Sequence, residues 1–226
     1  MPLDIKRIQA ICFDVDGTLS DTDDLFVYRL YTMLRPLYGS RLISQYAVHG
    51  LSRWMVMAME TPSNLAYAAV DRTRMDDAVL NPLKVRLKRK DKPPPSFWLI
   101  EGVAEMLTAL AGRYPLAVVT ARDEAGTMAF LEQFSLTGLF GAVATARTCQ
   151  YTKPFPDPVV WAAGELGVAP QDCLMVGDTT VDMRAGKAAG AQTVGVLCGF
   201  GRERELLRAG ADLILPMTAD LMGVLA

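Results

Sequence analysis

Four short segments of this chain each place an acid, a hydroxyl or an amine at or just beyond an apolar run. In the first, ICFDVDGTLSDT, Asp14 and Asp16 stand two residues apart after the hydrophobic stretch 8–13. Like charges this close repel, and an apolar approach disfavours both ions. A magnesium ion resolves the conflict, because it takes carboxylate and carbonyl oxygens in octahedral geometry. Gly17 lets the chain turn sharply after the pair, and Thr18 adds a hydroxyl. Read alone, the segment also fits an Asx-turn with two solvated aspartates. A calcium loop does not fit, since Asp21, Asp23 and Asp24 follow without a glutamate at EF-hand spacing.

The second segment, LAVVTAR, ends its apolar run in Thr120, whose hydroxyl and the amides of the turn at Ala121 suit a phosphoryl oxygen. A threonine at a strand end is also an ordinary structural residue. The third is KPFPDP, in which Pro154 holds Lys153 extended, and Pro156 and Pro158 lie where a helix begins. A fixed ammonium there suits a phosphate or a carboxylate cluster, though a surface lysine reads the same way. In the fourth, CLMVGDTTVDMRAG, Asp178 closes an apolar run and Asp182 follows four residues on. A helix starting near Thr179 would let Asp178 cap it and turn Asp182 back toward the strand ends. Open parallel sheets bind ligands at the carboxyl ends of their strands, and all four segments fall there. Four aspartates, one lysine and one hydroxyl at that edge are what a metal-held phosphoryl group requires.

The elements that must carry these groups form an α/β pattern. Apolar runs at residues 8–13, 116–120, 142–146, 173–176, 193–197 and 212–215 read as strands, and 124–134, 157–166 and 181–189 as helices. Such alternation argues for a Rossmann-like parallel sheet covered on both faces. Residues 20–96 break the rhythm with helical apolar repeats and close on Pro93, Pro94 and Pro95, a stiff extended linker. The expected organisation is therefore an α/β core from residues 1–19 and 97–226, with an α-helical cap domain inserted as 20–96.

Bulk properties agree with a globular protein. The 226 residues are 51% hydrophobic and 21% charged, with a net charge of −2, so no basic field draws the chain to nucleic acid or anionic lipid. Cys12, Cys149, Cys173 and Cys198 show no metal-ligand spacing and suit a reducing compartment. With no signal-peptide pattern and no apolar run of membrane-spanning length, the expectation is a soluble cytoplasmic protein.

In this order, the four segments resemble the haloacid-dehalogenase superfamily of hydrolases, in its phosphoglycolate-phosphatase-like branch. The resemblance covers residues 8–18 and about 101–226, including the late stretch GFGRERELLRAGADLIL. It implies that Asp14 is a nucleophile forming an aspartyl-phosphate and a magnesium ligand. Asp16 would serve as general acid/base and offer its backbone carbonyl to the metal. Thr120, with the turn at Ala121, would bind the phosphoryl group, Lys153 would balance its charge, and Asp178 would be a second metal ligand. Asp182 would act from outside the ligand set, through water or Lys153. One departure is visible: the family often has Asn after Thr120, whereas Ala121 and Arg122 follow here.

The implied activity is phosphomonoester hydrolysis of a small phosphorylated metabolite, by a monomer or homodimer without nucleic-acid or membrane partners. A sugar phosphomutase would share every core residue. A haloacid dehalogenase would need neither magnesium nor Asp16, and an inactive binding module would not need the full set. Within the insert, Arg53, Arg72, Arg74, Trp54 and Tyr67 are candidates for reading the substrate beyond its phosphate. His49 is not expected to act as a catalytic base, and the basic run at residues 84–92 reads as a solvated helix end or, less commonly, a seat for a distal anionic group or nucleic acid.

Overall fold

The computed structural model describes residues 3–21 and 97–225. The expected cap, its candidate residues, His49 and the basic run at 84–92 lie outside the described residues. Of the expected insert 20–96, only Ser20 and Asp21 are described.

Six strands form one parallel sheet in the order β3-β2-β1-β4-β5-β6. In chain order they are β1 (Ala10–Phe13), β2 (Leu116–Val119), β3 (Ala142–Ala144), β4 (Cys173–Gly177), β5 (Gln192–Val196) and β6 (Leu213–Leu215). The described helices are α1 (Val103–Ala111), α2 (Glu124–Gln133), α3 (Asp157–Glu165), α4 (Thr180–Ala188), α5 (Glu203–Ala209) and α6 (Leu221–Leu225). The α/β, Rossmann-like sheet read from the sequence is therefore present. Each expected strand and helix occurs, most of them a residue or two shorter than its apolar run. Helices α1, α5 and α6 add to those expected from the sequence.

The two faces of β1 explain why an unbroken apolar run forms a strand here. Ile11 and Phe13 join a core of large side chains, including Val118, Leu174 and Val176 from neighbouring strands and Leu107, Leu110, Phe130 and Leu131 from α1 and α2. Ala10 and Cys12 face a thinner layer of Ala117, Val119, Met175, Val159, Ala162 and Ala185, where α3 and α4 lie close on small residues. Both faces are dry, so every β1 side chain is buried. Phe13 lies level with Val118 on one side and Val176 on the other, so β1, β2 and β4 reach the same edge together. The chain fills the sheet on the β2 side of β1 first and then crosses to β4. The switch point of the fold thus lies between β1 and β4, where open α/β sheets hold ligands.

Asp212 ties the far side of the sheet together. Its carboxylate accepts from the Thr193 amide at 2.9 Å, the Thr193 hydroxyl at 3.2 Å and the Lys187 ammonium at 2.6 Å. Burial pushes its pKa up, but the bonds from Lys187 and Thr193 outweigh this and leave it below the ordinary aspartate value. A carboxyl lowered on folding contributes stability that is present above its unfolded pKa of about 3.9 and lost as pH falls through the folded one. Asp212→Asn is therefore expected to unfold more easily than the parent at pH 7, by about 1–2 kcal/mol. The gap should narrow below about pH 4, as urea titrations at the two pH values would show.

Candidate active site

The end of β1 is prolonged by one backbone bond, from the Asp14 amide to the Val176 carbonyl at 3.0 Å. Asp14 is thereby fixed at the shared edge, with its residue only 6% exposed. Asp178 directly follows β4, and Asp182 sits in the first turn of α4; both are fully buried. Carboxylate oxygens of Asp14, Asp178 and Asp182 all lie within 4.8 Å of one another. Lys153, buried in the loop before α3, places its ammonium 2.6 Å from Asp182 Oδ1 and 2.8 Å from Asp14 Oδ1. The contact to Asp14 is an ion pair without the alignment of a hydrogen bond.

Each acid is held by neighbours that the local sequence supplies. Asp182 Oδ2 accepts from the Thr179 amide at 2.9 Å and its hydroxyl at 2.6 Å, which leaves Oδ1 for Lys153. Thr179, not Asp178, is thus the N-cap residue of α4. The capping role expected of Asp178 is corrected because its carboxylate turns to a different loop. There it accepts from the Phe200 amide at 2.8 Å and the Thr18 hydroxyl at 3.4 Å. Glycines make that approach possible. A Cβ on Gly17 would stand 2.5 Å from Asp178 Oδ2, and one on Gly199 would stand closer still. Gly17 also adopts φ +75°, which a residue with a side chain enters at a cost.

Burial is the largest influence on Asp14 and pushes its pKa up to about 7, with Asp182 and Asp16 adding to the rise and Lys153 opposing it. Burial alone would lower the pKa of Lys153, but Asp14 and Asp182 outweigh it and hold the ammonium firmly charged. Lys153 supplies one positive charge toward three buried carboxylates, and Asp14 Oδ1 accepts no aligned hydrogen bond. A hard divalent cation fits this donor set, since it binds carboxylate oxygens and removes the repulsion that raises Asp14.

The remaining candidates line the same edge. Thr120 is buried just past β2, and its hydroxyl accepts from the Arg122 amide at 3.1 Å. Ala121 is exposed at the turn between them. Asp16 stands apart from the buried triad and partly open to solvent, with its carboxylate held by Arg122 in a two-pronged contact. Nε donates to Oδ2 at 3.1 Å and Nη2 donates to Oδ1. In the sequence, Arg122 stands out only as a departure from a motif. The signal that could mark it is a cation two residues after Thr120, opposite an acidic pair.

Comparison with known proteins decides what this arrangement belongs to. The family described as haloacid dehalogenase-like hydrolase matches residues 11–196, which takes in all seven candidate residues. The chain belongs to that family. It is a hydrolase by membership, as the resemblance implied. Phosphoglycolate phosphatase of Escherichia coli strain K12 is 29% identical to it, covering 97% of this chain and 93% of its own. Pyrophosphatase PpaX of Bacillus pumilus is 27% identical and covers 97% of both chains. Among solved structures, a haloacid dehalogenase family hydrolase from Deinococcus radiodurans R1, with bound phosphate and sodium, superposes with a TM-score of 0.66. It is 24% identical and covers 97% of this chain and 96% of its own. Among the described residues, no helix is long and apolar enough to cross a membrane.

Proposed function

We propose that the protein is a magnesium-dependent phosphatase that hydrolyses a small phosphomonoester through an aspartyl-phosphate on Asp14. The observation that supports this best is the convergence of three buried carboxylates within 4.8 Å at the switch point, with Lys153 bridging two of them. In this reading Asp14, the Asp16 carbonyl and Asp178 hold magnesium, which when bound neutralises phosphoryl oxygens and the acids around it.

The chain's own groups carry the rest. A carboxylate oxygen of Asp14 attacks phosphorus, and the bond from phosphorus to the ester oxygen breaks. Protonated Asp16 gives its proton to the departing oxygen, so an alcohol leaves. Lys153 holds its charge between Asp14 and the phosphoryl group, while Thr120 and the turn at Ala121 donate to equatorial oxygens. Water then attacks the phosphorus of the aspartyl-phosphate, Asp16 takes its proton, and inorganic phosphate and the Asp14 carboxylate separate. Two steps of this kind replace one harder displacement. Asp182 orients Lys153 and stays outside the reaction. The same reading assigns residues 20–96 to a cap that selects the substrate, and places the enzyme in the cytoplasm as a monomer or homodimer.

Phosphate release from p-nitrophenyl phosphate and a panel of phosphomonoesters tests this. The names of the relatives put phosphoglycolate first on that panel and add pyrophosphate, a phosphoanhydride, beside it. Activity should appear with magnesium, fall by roughly a hundredfold or more in EDTA, and return when magnesium is restored. Equal rates in EDTA would remove the metal from the scheme. Transfer of the phosphoryl group to a second hydroxyl of a sugar phosphate, in place of water, would favour a mutase.

A further inference from the structure

We infer that Arg122 is a positioning residue for Asp16, holding the carboxylate that serves the leaving group where the reaction needs it. The inference rests on the acid/base role proposed for Asp16.

The Asp16 side chain is 34% exposed and follows the end of β1, so its position is not fixed by packing as those of Asp178 and Asp182 are. Arg122 supplies what packing does not. Its planar guanidinium engages both carboxylate oxygens, through Nε at 3.1 Å and through Nη2, and a two-point contact sets orientation as well as distance. The arginine is itself braced. Its amide donates to Thr120 Oγ1 at 3.1 Å, and its carbonyl accepts from the Ala146 amide at 3.0 Å. Its guanidinium carbon lies 4.9 Å from the centre of the Phe97 ring and 5.9 Å from that of Phe130. Phe130 is fully buried. The backbone of Phe97 is clasped at both ends by the Gln133 amide, at 3.2 and 2.8 Å. The hydroxyl proposed to bind phosphate thus also sets the loop that carries Arg122, and the aromatic shelf fixes its head.

A plain ion pair at a partly exposed position contributes about 0–1 kcal/mol to stability and nothing to turnover. The two roles separate in kinetics. Arg122→Met keeps the stem on the aromatic shelf and loses the fork, while Arg122→Lys keeps a charge without the planar geometry. With magnesium present, kcat for phosphate release should fall about 10–100-fold in Arg122→Met, with KM within about threefold of the parent. Arg122→Lys should fall between the two. In an Asp16→Asn background, the same Arg122→Met change should cost little more, because the group it positions is already gone. All of these enzymes are compared on an alkyl phosphomonoester, whose leaving oxygen needs the Asp16 proton; on p-nitrophenyl phosphate, whose leaving group departs with little acid help, the Arg122→Met loss should be smaller.

Thermal melts establish that each variant is folded. A folded Arg122→Met enzyme with unchanged kcat overturns the inference, and so does a full loss that persists in the Asp16→Asn background. A loss confined to KM makes Arg122 a substrate contact and overturns it too. A wild-type protein inactive on the whole panel would instead sink the phosphatase reading, and this inference with it.

Discussion

Asp14→Asn should be folded and essentially without turnover. Removal of a covalent nucleophile costs on the order of 10⁴–10⁶ in kcat where it has been dissected, and the proposed scheme has no second group able to form the acyl phosphate. Loss of activity alone would not separate chemistry from folding, but the electrostatics of the site do. Burial raises the Asp14 carboxyl to about pH 7, above the roughly 3.9 of the unfolded chain. A carboxyl raised in this way contributes its full stability below the unfolded pKa and loses it as pH climbs through about 7. At pH 8 in EDTA the ionised Asp14 is therefore a burden that the neutral amide does not carry. Asp14→Asn should melt at or above the parent temperature there, while phosphate release disappears. A folded variant that still releases phosphate at the parent rate would sink the nucleophile assignment.

That opposition between stability and activity is also why part of the site is legible in the amino-acid sequence. A buried carboxylate is costly, so an acid placed straight after an apolar run, as at Asp14 and Asp178, signals a compensating partner. Unbroken apolar runs locate the strands, and the strand ends locate the acids, because a parallel strand buried on both faces is apolar throughout and stops where the polar site begins. The direction of individual side chains is not legible in this way. By spacing, Asp178 reads as a helix cap. Its actual partners, Thr18 and Phe200, are 160 and 22 residues away, and only the crossover of the sheet brings them near. Thr179 takes the cap instead, with Asp182 reaching back to it.

Arg122 is hidden for the same reason. Its partner Asp16 is 106 residues distant, and its shelf joins Phe97, ahead of α1, with Phe130 on α2. Helix α1, by contrast, is legible: its buried positions Val103, Met106, Leu107 and Leu110 keep helical spacing, a signal that a search led by strand-like runs passes over.

Lys153 carries the second large effect. Its ammonium sits between Asp14 and Asp182 and is itself buried, so Lys153→Met exchanges a satisfied cation for a methyl thioether and leaves carboxylates without it. Removing one member of a buried ion pair destabilises by about 3–5 kcal/mol, chiefly through the charge left behind. The acids hold the Lys153 pKa above its unfolded value near 10.4. Its contribution is therefore present throughout the neutral range and lost only as pH rises through the folded pKa.

Urea titrations of Lys153→Met in EDTA should show the loss. A Lys153→Met/Asp182→Asn double variant should recover part of it, since the amide oxygen can still accept from Thr179 while one uncompensated charge is gone. Contacting residues of this kind couple by about 0.5–3 kcal/mol. Turnover should follow a different course. The double variant regains the fold without the ammonium that balances the phosphoryl group, so kcat should stay down by about 10²–10³ in both variants, on the scale of a lost electrostatic stabiliser. Recovery of activity in step with stability would make Lys153 a structural counter-ion only. Recovery of stability with turnover still absent would place its charge in the transition state, where phosphoryl oxygens must be neutralised as the Asp14 bond to phosphorus forms and breaks.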